Sequence, residues 1–580
     1  MSAAASPSSD TPWDMETDVL VIGSGAGGLA ASLFAGLAGL DVILCEKQRR
    51  LGGTTATSGG GIWVPGTRGG LAAGDSKEKA KAYLQHLLGK YYRADLVDTY
   101  LETGSQVIDY LNDHTEVKFE VVPWPDYRSD EPGGAPKGRT LFPLAFDGKK
   151  LGKDFQMIQP PMHRLMVLGG LMLAPSDVND FLHPFSSWGS FTRVTRKVLQ
   201  YAIDRLRYSR GTDLKTGNAL VARLVYSLPR DKTTILTESP MTELITENGA
   251  VVGAVVSVKG QSRRILARRG VVLATGGYPH NQEMLRKYGP TTPHRFSLCS
   301  AANVGEGIQA ALKVGAVVDE ALSSVGNWTP ASVTHDSQGR EVPVIYGYLD
   351  RGRPGVIAVN SEGKRFVNES NSYHDIVTAL FATRRNENEA FHFVTDQAFV
   401  RRHGLGLVRP WPWNRSLKPW VRKGYIKMAD TLPELASQIG VDPDSLVATV
   451  KRHNEFARTG VDLDFGKGST KYNRMFGHQM EWPNPNLAPI ESPPYVALRI
   501  HPATIGTTKG LKTTAAAQAV SATGEPIRGL YACGNDLAAV FRGYYPGGGT
   551  TLGPAIVFAY LAVQNMVGKS PLLEQLTPTN

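Results

Sequence analysis

The sequence predicts an α/β protein. A Rossmann-like domain is assembled discontinuously from both ends of the chain, and a second, α+β domain is inserted between them. Three observations predict this. An apolar run, Asp18-Val-Leu-Val-Ile22, leads into a glycine turn, an apolar helix signal over 27–38 and a second apolar run, Asp41-Val-Ile-Leu-Cys45. That is one βαβ unit of a parallel sheet. Strand, glycine-loop and helix signals of the same kind return after 495. The stretch between is of mixed character, and 580 residues exceed what one hydrophobic core serves.

In chain order, residues 1–16 are rich in Ser, Ala and Pro and are expected to be a disordered tail. The first part of the Rossmann-like domain is placed at 17–284. Within it, 51–75 is rich in Gly and Thr and is expected to be loop, 76–116 is expected to be helical, and 120–155 irregular. Residues 155–225 form an extra segment with an apolar stretch at 165–174 and a basic, helical continuation. Short β-like runs follow at Ala222–Tyr226, 233–236, 249–258 and 265–273, the last running into Ala274-Thr-Gly-Gly277. The inserted domain is placed at 285–494 and the second part of the first domain at 495–580. No internal repeat is visible.

Apolar residues make up 42% and charged residues 20%, the balance of an ordinary globular chain. The net charge of +10 is spread along the chain without a Lys/Arg block, so no nucleic-acid partner is expected. Arg193, Arg196, Lys197, Arg205, Arg207 and Arg210 do cluster beside the 165–174 stretch. That stretch is too short to span a bilayer and reads as a buried helix, a lid or a monotopic patch; peripheral membrane contact through 160–210 is one expectation. The cysteines Cys45, Cys299 and Cys533 lack CxxC spacing, so no metal site and no disulfide framework is expected, and a cytoplasmic setting is.

The glycine turn is Gly23-Ser-Gly25-Ala26-Gly-Gly28, which fits G-x-G-x-x-G between a strand and a helix. Gly23 permits the tight turn, Gly25 lets backbone approach a pyrophosphate, and Gly28 lets helix and strand pack closely. The amides at the helix start face the phosphate charge. Glu46, at the end of the second run, is placed to accept from a ribose hydroxyl, with Lys47 beside it. The dinucleotide expected is FAD rather than NAD. Leu51 to Gly60 follows at once, and its Gly53, Thr54, Thr55, Ser58, Gly59 and Gly60 supply amides and hydroxyls for a long cofactor. Ala274, Thr275 and Gly276 end a strand at the same site, Gly534 and Asn535 end another, and Thr551 and Leu552 follow a late glycine run.

Four segments then carry a family likeness: Gly52-Gly-Thr-Thr-Ala-Thr-Ser-Gly; Asp126-Tyr127 with Pro132-Gly-Gly and Gly138-Arg139; Gly355 to Asn368-Glu369-Ser370 with Tyr373; and Tyr545-Pro-Gly-Gly-Gly549-Thr-Thr-Leu-Gly-Pro-Ala. From about 17 to 570 the chain resembles flavoproteins of the fumarate reductase/succinate dehydrogenase type, and among them 3-ketosteroid Δ1-dehydrogenases and their relatives. The resemblance implies an FAD-binding domain with an inserted substrate-capping, catalytic domain. It implies α,β-desaturation of a cyclic ketone, either a 3-ketosteroid or a smaller cyclohexanone-like ring. Tyr545 hydroxyl and Gly549 N–H would hold the ketone oxygen, Tyr373 would take the α proton with help from Tyr127, and the β hydrogen would pass as hydride to flavin N5. A free phenol titrates near ~10, so such a base needs support from its surroundings. No histidine stands in 52–61, where some relatives attach FAD, so non-covalent FAD is expected. An external electron acceptor, such as a quinone, completes the expectation.

Two other readings stay open on the sequence. A fumarate-reductase-like enzyme would need an arginine proton donor, and Arg351 and Arg353 lie near the right segment. A flavin-binding electron carrier would need no organic substrate. His501 is expected to be structural, and Lys509-Gly510 to lie beside the flavin.

Overall fold

The computed structural model describes residues 12–162, 166–174, 177–182, 184–289, 291, 294–345, 350–383, 390–568 and 572–576. β1 (Met15–Ile22) enters α1 (Ala26–Leu37), which returns as β2 (Val42–Cys45). Met15 and Glu16, assigned to the tail from sequence, are thus the first residues of a strand; 1–11 lie outside the described residues. Every α1 residue from Ala26 to Gly36 is buried. A helix apolar all round must be covered on all sides, and this one lies under the sheet between two other helices.

The region 51–75, expected to be loop, holds two short helices, Gly53–Thr57 and Arg68–Ala72, and a strand, Ile62–Trp63. The helical expectation for 76–116 matches helices Lys77–Leu88 and Ala94–His114. In the stretch expected to be irregular, Phe119–Val121 and Thr140–Pro143 form a small sheet with Ile62–Trp63. The apolar stretch at 165–174 is a hairpin and not a helix: Met166–Val167 pairs with Leu171–Met172. Leu168 and Gly169 both have positive φ within the three-residue loop between the paired Val167 and Leu171. Its Leu165 lies outside the described residues. α2 (Trp188–Asp204) follows, with Ser187 accepting from the Ser190 amide as its N-cap.

Ala222–Tyr226, read from sequence as β-like, lies inside α3 (Thr216–Ser227). A short, mostly apolar run suits a buried helix as well as a buried strand. Here Ala219 to Val225 are buried by packing against α1 and the Gly53–Thr57 helix, and helix wins. The chain then forms β3 (Thr233–Leu236), β4 (Met241–Glu247), β5 (Ala250–Val258) and β6 (Gln261–Leu273).

The second domain contributes β7 (Gly326–His335), β8 (Glu341–Ile345), β9 (Ile357–Val359), α4 (Tyr373–Thr383), β10 (Phe391–Asp396) and β11 (Tyr495–Thr507). Their sheet runs β8-β7-β11-β10-β9, with Phe296–Ser297 and Lys427–Ala429 also on β11. The expected return to the first domain at 495 therefore falls early. β11 is central to the second sheet, antiparallel to both β7 and β10, and the return follows Thr507. Separate apolar cores around Val356, Phe391 and Leu498 and around Val359, Leu435 and Ile490 support this sheet. The chain re-enters the first sheet as β12 (Gln518–Val520) and β13 (Pro526–Ala532) and ends its core in α5 (Leu552–Val567).

The first sheet has the parallel order β3-β2-β1-β6-β13, with β5 and β4 antiparallel beyond the first half of β6. Ile22, Cys45, Leu236, Leu273 and Ala532 end its parallel strands along one edge. Ligands of open α/β sheets bind in the crevice beyond that edge. No helix among the described residues is long and apolar enough to cross a membrane.

Candidate active site

The loops beyond that edge open into one cavity of about 2080 Å³. Its first half is the dinucleotide crevice. A Cβ on Gly23, whose φ is +103°, would sit 2.3 Å from the Ala274 oxygen, and one on Gly28 would sit 1.8 Å from the Gly23 oxygen. Gly25 is the N-cap of α1, and Ala26 N–H donates 3.0 Å to Thr55 Oγ1. Gly23, Gly25, Ala26, Glu46, Lys47, Gly53, Thr54, Thr55, Ser58, Gly59 and Gly60 all line the cavity. Gly28 does not: its part is the close packing of helix on strand.

Glu46 is held ready by its own turn. Its Oε2 accepts from Ser24 N–H at 3.0 Å and from the Ser24 hydroxyl at 2.5 Å. Lys47 pairs with Glu306, whose Oε2 is buried without a partner among the described residues. Thr54 Oγ1 accepts from Ser300 N–H at 2.9 Å, tying the crevice to the 300–303 loop.

From the other strand ends, Ala274, Thr275, Gly276, Gly534 and Asn535 line the cavity, as do Thr551 and Leu552 at the start of α5. Asp536 braces these loops together. It accepts from Thr275 N–H, from the Thr275 hydroxyl at 3.0 Å and from Gly277 N–H at 3.0 Å, and burial pushes its carboxyl up to about 6. The cradle of amides, the glycine-only approaches and an unpartnered carboxylate oxygen fit a dinucleotide. Lys509 does not belong to it: its ammonium donates 2.8 Å to Tyr288 oxygen, and neither it nor Gly510 lines the cavity.

The second half is a cage of aromatic rings. Tyr127 hydroxyl donates 3.0 Å to Tyr373 hydroxyl. Tyr127 and Tyr545 stack with centroids 5.6 Å apart and planes 8° apart, and Tyr373 meets Tyr545 edge-on at 5.2 Å. These three tyrosines and Gly549 line the same cavity as the glycine turn. The Tyr545 loop is pinned at both flanks. Pro546 oxygen accepts from Tyr127 N–H at 3.0 Å and from Tyr83 hydroxyl at 2.9 Å, and Gly549 oxygen accepts from Trp63 N–H at 3.1 Å. Gly549 has φ +101°, and a Cβ there would lie 2.3 Å from the Ile62 backbone.

Tyr127 is fixed through its neighbour. Asp126 accepts from Trp63 Nε1 at 2.8 Å and from Arg139 at 2.7 Å, and Arg139 also reaches Asp75 at 2.8 Å. All three ionic side chains are buried, and burial outweighs the Arg139 charge to hold Asp126 up at about 6. Tyr373 opens α4 below a second buried network: Arg365 bridges Glu369 at 2.9 Å and Asp462 at 2.8 Å, with Lys467 3.4 Å from Glu369. Asn368 Nδ2 donates 2.9 Å to Asn473 Oδ1, joining the Asn-Glu-Ser run to the helix that carries Tyr472.

Sequence reasoning missed several cage residues. Tyr472 lies 4.8 Å from Tyr127, and Phe476 lies 5.1 Å from Tyr472 and 6.0 Å from Trp124. Their i, i+4 spacing was the available signal. Trp124 Nε1 is buried beside Gly548 with no partner among the described residues. His374 sits 5.8 Å from Tyr545, and burial holds its imidazole down at about 4, so it is neutral and accepts from Trp328 N–H at 3.3 Å. Arg351, the candidate proton donor of the reductase reading, is fully buried, donates to Tyr472 hydroxyl at 3.2 Å and does not line the cavity; Arg353 does. His501 packs 5.3 Å from Phe296, away from the cavity.

Residues 18–552 match the family model described as an FAD binding domain, and the chain belongs to that family. It is an FAD-dependent oxidoreductase, and its likeness is to the ketosteroid dehydrogenases. It is 40% identical over 556 residues to 4-oxocyclohex-2-ene-1-carboxylate 5-dehydrogenase of Sinomonas cyclohexanicum, covering 94% of this chain and 92% of that one. It is 34% identical over 582 residues to 3-oxosteroid 1-dehydrogenase of Mycobacterium tuberculosis, covering 96% and 99%. Among solved structures it is similar to 3-ketosteroid Δ1-dehydrogenase of Sterolibacterium denitrificans in complex with 1,4-androstadiene-3,17-dione, with a TM-score of 0.87, 32% identity and 95% and 99% coverage.

Proposed function

We propose that this chain desaturates a cyclic ketone at the carbons next to the carbonyl, and that Tyr127, Tyr373, Tyr545 and Gly549 are its catalytic groups. The observation that carries the reading is the convergence of three tyrosine rings, two of them hydroxyl to hydroxyl, in the cavity that also holds the dinucleotide crevice. Tyr545 hydroxyl and Gly549 N–H donate to the ketone oxygen. A C–H bond beside that carbonyl becomes acidic as negative charge gathers on the oxygen, and donors already in place stabilise that charge without reorganising. Tyr373, ionised and steadied by the Tyr127 hydroxyl, takes the α proton. FAD, held by the Gly23–Gly28 turn, Glu46 and the 53–60 segment, would supply the acceptor for the hydrogen that leaves the β carbon with its electron pair as the carbon–carbon double bond forms. Braces through Asp126 and Glu369 keep the cage in register, since a small misplacement costs much of the rate.

Of the two substrate classes, a single six-membered ring is favoured over a steroid. The 40% identical relative is named for an oxocyclohexene carboxylate, and a cationic end of the cavity suits such a substrate. An apolar part of the cavity wall favours a membrane-side acceptor such as a quinone. Met166, Val194, Val198, Trp411 and Trp413 belong to the lining, and Trp413 Nε1 donates 2.8 Å to the oxygen of Leu182, another lining residue. Outside it, Phe185, Trp188 and Leu206 are about four-fifths exposed (81%, 79% and 83%) beside Arg196 and Arg207. That combination suits peripheral contact with an anionic bilayer at its cytoplasmic face. Three free, buried cysteines accord with a reducing compartment.

The test is dye reduction by the FAD-loaded protein with 4-oxocyclohexanecarboxylate, 4-androstene-3,17-dione and succinate. The reading expects reduction by a ketone and none by succinate. Turnover of succinate alone, or of none of the three, sinks it.

A further inference from the structure

The catalytic reading leaves a group of side chains unused. Arg353, Arg402, His403 and His478 line the cavity close to the tyrosine cage. They come from three separate parts of the chain. Arg353 follows the buried Arg351, which packs 5.9 Å from the Tyr373 ring. Arg402 and His403 end the helix Gln397–His403, and His478 follows the Phe476 of the cage by two residues. Their adjacency is direct: His403 and His478 rings lie 5.3 Å apart, and Arg353 Nη1 donates 2.8 Å to Gly477 oxygen.

Basic residues at a helix C-terminus are ordinary complements of the helix dipole, which accounts for Arg401 and Arg402, both exposed. It does not account for Arg353, which is on another element, is only half-exposed and forms no ion pair among the described residues. Asp350 is the one carboxylate that the described lining brings to this end; its Oδ2 accepts from Gly406 N–H at 3.3 Å, and its charge acts on Arg353 in opposition to burial without forming an ion pair with it among the described residues. The cationic group is also partly dehydrated. Burial together with Arg353, His478 and Arg402 holds His403 down at about 3, and burial lowers Arg353 itself. Burial and the charges of Arg353 and Arg402 lower His478 as well, so both imidazoles stand beside the guanidinium without adding a charge at neutral pH, and each has one ring N–H to give. A partly buried cation with flanking donors is a site for an anion, and a planar guanidinium fits a carboxylate best.

We infer that Arg353, with His403 and His478, forms a carboxylate-binding subsite that holds the anionic substituent of the ketone substrate while its carbonyl lies at Tyr545. This rests on the desaturase reading and deepens it by naming the group recognised. The subsite would reward a ring that carries a carboxylate and give a neutral ring or a steroid nothing to hold. It would also fix which ring carbons face Tyr373, since two anchors orient a small ring where one cannot.

The test uses the FAD-loaded protein, dye reduction and two probes, 4-oxocyclohexanecarboxylate and its methyl ester. The expected result is a preference for the acid in kcat/KM that Arg353→Gln lowers about 10- to 100-fold, the range of one charge-assisted hydrogen bond, chiefly through KM. Arg353→Lys should restore part of it, and His403→Gln should lower it by less. Because the readout is a ratio on one preparation, partial misfolding lowers both rates and cancels. An acid-to-ester ratio untouched by Arg353→Gln overturns the subsite. A wild-type enzyme that turns over both probes without preference, or that turns over 4-androstene-3,17-dione and neither probe, overturns the subsite alone, and one that turns over no ketone takes the desaturase reading down with it.

Discussion

The hydroxyls of Tyr127 and Tyr373 are 3.0 Å apart, with Tyr127 as donor, although the two residues lie 246 positions apart in the chain and belong to different domains. The bond gives the pair a direction. Tyr373 receives a proton bond, and a hydrogen bond donated to a phenolate favours its charged form. Arg351 lies 5.9 Å from the Tyr373 ring and adds positive charge on the same side.

Tyr373→Phe should therefore lower kcat about 10²- to 10⁴-fold, the span of a positioned general base, while FAD stays bound. Tyr127→Phe should do less, about 10- to 100-fold, and should move the rising limb of kcat/KM to higher pH, because the phenolate loses its donor. The pH–rate profile separates assistance from mere packing. A Tyr127→Phe enzyme with a lower rate but an unmoved limb would falsify the assisting role.

The patch around α2 makes a separate prediction. Leu199 and Ile203, both about 60% exposed (59% and 60%), share its outer face with Trp188. Sedimentation with vesicles containing one-third anionic phospholipid should pull the protein down at low salt. Replacing Trp188, Leu199 and Ile203 by Ser should reduce the bound fraction several-fold without changing the rate on a water-soluble ketone. Equal binding by the triple variant, or binding insensitive to salt, excludes this face as the contact.

What the sequence disclosed follows how local each feature is. The glycine turn, Glu46 and the strands around them all fall between Met15 and Glu46, so spacing alone carries the geometry. The cage is different. Tyr127, Tyr373 and Tyr545 come together only through the fold, and they were legible by family likeness and not by pattern. Tyr472 and Phe476 had only their i, i+4 spacing, and His374 had neither support. Ala222–Tyr226 was misread because a run buried from Ala222 to Val225 loses the periodicity that tells helix from strand. The domain border was misplaced because β11 is thirteen residues long and its second half leads into the glycine loop that resembles the first domain. Arg353 looked like part of a reductase motif, and only its place on the cavity wall shows what it faces.

The last prediction concerns the Glu369 brace under Tyr373. Glu369 is fully buried, and although burial alone would raise its carboxyl, Arg365 and Lys467 hold it down at about 2, against 4.5 for an unburied glutamate. Its folded value is thus depressed. The unfolded chain binds a proton more readily, so the stabilisation is complete above pH 4.5 and is lost as pH falls from 4.5 toward 2. Wild-type protein should lose thermal stability steeply across that window. Glu369→Gln removes the titrating group and leaves Arg365 and Lys467 short of a partner, although Asp462 still pairs with Arg365. It should be destabilised at neutral pH by about 3–5 kcal/mol, as when one member of a buried pair is lost, and its melting temperature should fall less steeply below pH 4.5. Parallel curves for the two proteins across pH 2 to 4.5 would mean that Glu369 is not the group that links acid to the loss of the cage. Asp462, also held low by Arg365, would be the next to replace.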